Sequence, residues 1–189
     1  MVEKIPLLDL RAEYAEIKES VDASIRRVVE SARFILGDEV TSFEQDFAAF
    51  CRADHAIGVG SGTDALYVAL KTCGVEAGDE VITTPMTFIA TSEAISLCGA
   101  KPVFVHVDPQ THNMDASLIE AVITPRTKVI LPVHIHGYPV DMDPLLVIAR
   151  RFNLYVIEDE AQAQGAKYKE RSVGTLADMA CFSFYPGKN

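Results

Sequence analysis

The sequence contains no apolar run approaching the ~18 residues a membrane-spanning helix needs, which excludes a helical membrane protein. Its first ten residues carry charges at Glu3, Lys4 and Asp9 and lack a long apolar core, so they do not read as a secretory signal. Basic residues are in deficit, 17 Lys+Arg against 27 Asp+Glu, and the net charge of -10 argues against a nucleic-acid binder, whose phosphate partner requires a basic face. Cysteine is sparse. Cys51, Cys73, Cys98 and Cys181 are far apart and form no C-x-x-C pair, so they read as free cytosolic thiols, each a small buried hydrophobe. Internal repeats and low-complexity linkers are also missing. What remains is ordinary globular material. With 49% hydrophobic and 23% charged residues, disorder, collagen and coiled coil are excluded, and 189 residues suit one domain, or one domain and a fragment.

Periodicity divides the chain. Tyr14, Ile17, Val21, Ile25, Val28 and Val29 fall three or four apart and predict a helix from about Arg11 to Ser31. A second helix starts near Asp38, with Val40, Phe43, Phe47 and Phe50 at the same spacing and Gly37 between the two. Beyond it, short β-rich runs alternate with helical ones. The predicted strands are His55–Gly60, Glu80–Thr84, Pro102–Val107, Lys128–Ile135, Leu154–Asp159 and Met179–Tyr185. Helices are predicted near Thr63–Cys73, Thr87–Cys98, Ala116–Ile123 and Pro144–Phe152, with Asp115 as an N-cap and Asp143-Pro144 as an N-cap followed by proline at the first helical position. Near-continuous apolar strands such as Lys128-Val-Ile-Leu-Pro-Val read as covered on both faces. The fold class is therefore α/β, a mostly parallel sheet with helices on both faces. Ligands of such sheets sit beyond the carboxyl ends of the strands, which is where candidate chemistry belongs.

Four strand ends carry unusual residues. After the first comes Gly58-Val-Gly-Ser-Gly-Thr63, a glycine-rich turn into a helix that suits a phosphate, or is merely a tight turn. It is neither a dinucleotide fingerprint nor a Walker A loop. It does match the nucleophile-elbow pattern G-x-S-x-G, but no histidine lies beyond His136 to complete the order Ser…Asp…His. After the second strand, Phe88 stands where an aromatic could cover a flat ligand, or could simply join the core. After the fifth come three carboxylates, Glu158, Asp159 and Glu160. Alternation puts the glutamates on one face and Asp159 on the other, and a buried Asp159 would need a cationic partner. After the sixth strand, Lys188 follows a Pro-Gly turn; lysine forms Schiff bases with carbonyls when its pKa is lowered. His134 and His136, at i, i+2 on a strand, could join Asp159 in a metal site, but no further Cys/His pair accompanies them and no metal is assigned.

Together these stretches resemble the pyridoxal-phosphate-dependent sugar aminotransferases of the DegT/DnrJ/EryC1/StrS family, a branch of fold-type I. The resemblance runs from Ile5-Pro-Leu-Leu-Asp-Leu and Gly37-Asp-Glu-Val through Gly60-Ser-Gly-Thr-Asp-Ala-Leu66, Gly78-Asp-Glu-Val-Ile82 and Thr87-Phe-Ile-Ala-Thr-Ser-Glu-Ala94. It closes with Ile157-Glu-Asp159, Ala161-Gln162 and Phe182-Ser-Phe-Tyr-Pro-Gly-Lys-Asn189. It implies the cofactor pyridoxal 5'-phosphate, with Lys188 holding it and shuttling a proton, and Asp159 as partner of the pyridine nitrogen. Gln162 would contact the ring's phenolic oxygen, Phe88 would stack on the ring, and Gly62, Thr63 and Ser183 would form the phosphate cup. Glu160 and Gln164 depart from the family pattern, which more often has a small residue and a histidine there. His136 lies in a variable part of its motif.

The implied reaction moves an amino group, from glutamate, to a nucleotide-linked keto-sugar in amino-sugar or polysaccharide biosynthesis, in a cytoplasmic homodimer. Two alternatives stand beside it: a sugar dehydratase of the same family, which would carry histidine in place of Lys188, and a non-catalytic cofactor-binding regulator. The expected organisation is an N-terminal helical segment, 1–36, and a cofactor-binding large domain, 37–189, truncated and without its C-terminal small domain. Fold-type I has seven strands, the seventh lying between the first and the sixth. Six are read here, so the piece alone is expected to be inactive and poorly soluble, a fragment of a larger enzyme.

Overall fold

The computed structural model of the chain describes residues 6 and 8–188. Ile5, Leu7 and Asn189 of the motifs above lie outside the described residues. Two compact units are present, Met1–Ala49 with Asp54–Gly58, and Phe50–Ala53 with Val59–Asn189.

The first unit holds α1 (Leu10–Ser31) and most of α2 (Asp38–Cys51). Asp9 caps α1 by accepting the amides of Arg11 and Ala12, which satisfies two otherwise orphaned donors. Asp38 and Glu39 in the first turn of α2 complement its dipole and pair with Arg33 and Arg27 of the same unit. Both helices occur where the periodicity places them, but Tyr14, Ile17, Ile25 and Val29 of α1 stay exposed.

The second unit is a parallel five-stranded sheet ordered β2-β1-β3-β4-β7. Its strands are β1 (Glu80–Thr83), β2 (Lys101–Phe104), β3 (Thr127–Ile130), β4 (Tyr155–Asp159) and β7 (Met179–Cys181). A separate hairpin pairs β5 (Lys167–Tyr168) with β6 (Arg171–Ser172) through Lys169 and Glu170, both at positive φ, as a two-residue hairpin turn requires. Helices α3 (Gly62–Thr72), α4 (Ala90–Leu97) and α5 (Met142–Phe152) complete the unit. Strand alternation sorts the core into two clusters. Val81, Val129 and Ile157 pack with Leu66, Leu70, Ala94 and Ile95 of α3 and α4, whereas Ile82, Ile130 and Val156 pack with Met142, Leu145 and Ala149 of α5. Helices thus cover both faces, as the apolar strands implied. All four cysteines are free and buried.

Several predicted elements differ. Residues 55–60 form no strand, because a strand exists by its ladder and nothing among the described residues pairs with them; the Gly58 amide instead donates to Glu44 Oε1 at 2.7 Å. The strand predicted to run from Lys128 to Ile135 is continuous only to Ile130; beyond it a single parallel bridge pairs Val133 with Asp159, the Pro132 carbonyl accepting the Asp159 amide and the His134 amide donating to the Asp159 carbonyl. Ala116–Ile123 is two 3-10 turns, Ala116–Leu118 and Glu120–Val122, not an α-helix, with i to i+3 bonds from Ile119 to Ala116 and from Ile123 to Glu120. Asp115 does cap the first, its side chain accepting from the Ser117 amide. Helix α5 begins earlier than predicted, after Asp141, so Asp143 and Pro144 fall inside its first turn, where a missing amide costs nothing. Asp143, freed from capping, pairs with Lys169 and Arg171.

Candidate active site

The carboxyl ends of β1, β4 and β7, with the amino end of α3, bring the candidate residues into the second unit. Asp159 is the last residue of β4 and is 4% exposed. Its Oδ2 accepts the Thr91 hydroxyl at 2.8 Å and its Oδ1 the Ala161 amide at 3.2 Å. Burial pushes its carboxyl above the usual range, against those two hydrogen bonds and the nearby His134 and Lys188. Among the described residues no cation forms an ion pair with it, so this buried carboxylate has acceptor capacity left for a cationic donor.

The other two carboxylates look the opposite way, as alternation predicts. Glu158 is fully buried and accepts the amides of Gly174, Leu176 and Ala177 at 3.4, 3.1 and 3.1 Å, and His134 Nε2 at 3.1 Å. The His134 Nδ1 accepts the Val140 amide at 3.0 Å, which fixes the ring hydrogen on Nε2. Glu160 is also fully buried. Its Oε1 lies 3.1 Å from the same Nε2, but neither of its oxygens receives a hydrogen bond. Burial pushes the Glu160 carboxyl up to about 7, with the His134 ring opposing and the Glu158 charge adding to the rise. For His134 burial opposes the charged ring, but the two carboxylates outweigh it and hold the imidazole above its ordinary range. His134, Glu158 and Glu160 could crowd a cation, yet an Nε2 that carries the ring hydrogen has no lone pair to offer a metal. His136 is exposed, so the grouping of both histidines with Asp159 does not occur.

The remaining candidates lie in the same unit. The Gln162 Oε1 accepts the His136 amide at 2.9 Å. Phe88 is 67% exposed, not a core residue, so its ring is available to a ligand. The Ser61 side chain caps α3 by accepting the Asp64 amide, and the first intrahelical bond runs from Ala65 to Ser61, which leaves the Gly62 and Thr63 amides at the positive end of the helix. Gly62 lies directly against Ser183: a Cβ there would come within 2.9 Å of Ser183 Cβ and 3.3 Å of the Phe182 carbonyl. The glycine thus lets the helix end and the segment after β7 meet. The Gln164 Nε2 donates to the Ser183 carbonyl at 2.6 Å and braces the same segment. Lys188 is half-buried, its amide bonded to the Tyr185 carbonyl at 2.9 Å in the turn that follows. Two site residues were not singled out by the sequence. Thr87 and Thr91, one helical turn apart in a motif at a strand end, form a hydroxyl pair at 2.7 Å that ends on Asp159; their i, i+4 spacing was the available signal.

The model of the DegT/DnrJ/EryC1/StrS aminotransferase family matches residues 15–189. The chain belongs to this family. A curated relative, the dTDP-3-amino-3,4,6-trideoxy-alpha-D-glucose transaminase of Streptomyces venezuelae, is 49% identical over 98% of this chain and 49% of its own length. The crystal structure of DesV from S. venezuelae superposes with a TM-score of 0.96 at 48% identity, covering 99% of this chain and 50% of that one. NtdA of Bacillus subtilis, solved with bound cofactor PMP, superposes with a TM-score of 0.92 at 34% identity, over 100% of this chain and 42% of its own. The chain therefore spans about half the length of the relatives it matches, and its parallel sheet is a partial fold-type I domain.

Proposed function

We propose that the protein carrying this chain is a pyridoxal-phosphate-dependent aminotransferase that moves an amino group onto a nucleotide-linked keto-sugar in amino-sugar or polysaccharide biosynthesis. Glutamate as donor, a homodimeric assembly and a cytoplasmic location belong to the same reading and come from the family resemblance. The observation that carries the proposal is Asp159, a buried carboxylate at a strand end with no ion pair among the described residues, near enough to Lys188 to feel its charge.

The residues present fit the cofactor. Asp159 would hold the proton of the ring nitrogen, and Thr91 and Ala161 aim its two oxygens. Gly62, Thr63 and Ser183 would hold the phosphate through helix-end amides and two hydroxyls, so that local dipoles outweigh a net charge of -10. Phe88 would cover the ring face and exclude water from it, and Gln162 would meet the ring's phenolic oxygen. When bound, pyridoxal phosphate supplies an electron sink for charge that develops at a substrate carbon. The Lys188 amine would hold the cofactor and then carry a proton to and from that carbon.

In the whole protein, Lys188→Ala is expected to abolish the coloured cofactor adduct and amine transfer, measured by near-ultraviolet absorbance and by product formation on nucleotide-linked 3-keto and 4-keto sugars. Full turnover by the variant would refute the assignment.

A further inference from the structure

We propose that Thr91 is a positioning residue that locks Asp159 to the Phe88 loop through a directed chain of hydroxyls beginning at Thr87. The inference deepens the functional reading above and rests on it.

Thr91 sits in the first turn of α4 and is 1% exposed. A threonine hydroxyl has one hydrogen. In Thr91 that hydrogen goes to the carboxylate oxygen Asp159 Oδ2, 68 positions away in sequence. The 2.7 Å contact between Thr91 and Thr87 must therefore run the other way, with Thr87 donating to Thr91. The two bonds act in series, and each polarises the next. The Asp159 carboxylate cannot donate, so while it is charged every hydroxyl in the chain has one orientation.

The chain joins two parts of the site that no strand ladder connects. Thr87 and Phe88 lie in the loop that leaves β1, and the Thr91 amide bonds back to the Phe88 carbonyl at 3.2 Å. Asp159 ends β4, two strands away in the sheet. The Thr91 hydroxyl thus ties the backbone that carries Phe88 to the carboxylate, and Phe88 and Asp159 are the two residues that would meet the face and the nitrogen of one flat ring. It also supplies one of the two hydrogen bonds that favour the ionised form of Asp159 against its burial.

The test uses Thr91→Val, which keeps the shape and deletes the hydroxyl, and Thr91→Ser, which keeps the hydroxyl and deletes the methyl, in the whole protein. Pyridoxal phosphate affinity is measured by fluorescence, and the pH midpoint of the bound cofactor's absorbance by titration. A hydrogen bond to a charged group sets the scale, so Thr91→Val is expected to bind roughly tenfold to a hundredfold more weakly and to move the absorbance midpoint, with Thr91→Ser close to wild type. Thr87→Val, acting through Thr91, shifts both readouts in the same direction by less. Equal impairment of the Val and Ser variants means that packing is the role of Thr91 and overturns the proposal. So does a Thr91→Val midpoint that coincides with wild type. Failure of the wild-type protein to bind the cofactor would instead strike the functional reading itself.

Discussion

Glu160→Gln is expected to stabilise the protein above neutral pH and to change little in acid. Glu160 is fully buried, neither carboxyl oxygen receives a hydrogen bond, and its carboxyl is lifted from 4.5 to about 7. The folded state therefore holds a proton there that the unfolded chain has already released between those two values. Folding stability must fall as pH rises from 4.5 through 7 and then level off. At about 1.4 kcal/mol per unit, the 4.5 to about 7 rise corresponds to at most about 3 kcal/mol of lost stability at pH 8. Glutamine is neutral throughout and removes that loss. Its amide can donate to Glu158, and its carbonyl lies where His134 Nε2 can reach it. Unfolding by urea at pH 5 and at pH 8, for wild type and variant, measures the effect of removing the Glu160 charge, including the share of the raised basicity of His134 that this charge supplies. A pH-independent difference, or a variant less stable than wild type at pH 8, would show that the proton does not reside on Glu160 and refute the reasoning.

Two further outcomes follow from packing. Gly62→Ala places a methyl 2.9 Å from Ser183 Cβ and should displace the segment after β7, at a cost of about 1–3 kcal/mol in urea unfolding and with clear loss of phosphate-cofactor affinity. Unchanged stability and affinity would mean that the cup does not depend on that close approach. The buried thiols should not react with a disulfide reagent in the native protein and should all react in denaturant, since burial raises Cys73 to about 11 and pushes Cys51, Cys98 and Cys181 upward as well; rapid native labelling of any of them would contradict their placement.

The parallel sheet was legible because its evidence is local. Val81, Val129 and Ile157 alternate with Ile82, Ile130 and Val156, and each run carries its own burial pattern. What misled is what a single segment cannot hold. His55–Gly60 has strand composition, but a strand needs a neighbour, and no described residue supplies one. The span from Ala116 to Ile123 has helical spacing, but its bonds run from i to i+3, a choice the spacing does not distinguish. At α5 a proline was read as the first helical position. The helix tolerates it anywhere in the first turn, so proline marked the element without marking its boundary.

The site divides along the same line. Lys188, Asp159 and the glycine turn stood out because a charged or flexible residue at a strand end is anomalous in its own neighbourhood. The three consecutive carboxylates did as well, and alternation correctly put Glu158 and Glu160 opposite Asp159. Their partners could not be seen in that segment: Thr91 is 68 residues from Asp159, and His134 is 24 from Glu158. One short stretch of β4 consequently holds two different electrostatic solutions back to back. On one face Glu158 is satisfied by three backbone amides and a histidine, and Glu160 is left with a raised pKa against them. On the other, Asp159 meets one hydroxyl and one amide, and still has capacity to accept. A buried carboxylate with two donors and no cation among the described residues is costly for folding alone. A cationic ligand would recover that cost, and this is the physical reason for assigning the ligand to Asp159, as proposed above, rather than to the better-satisfied Glu158.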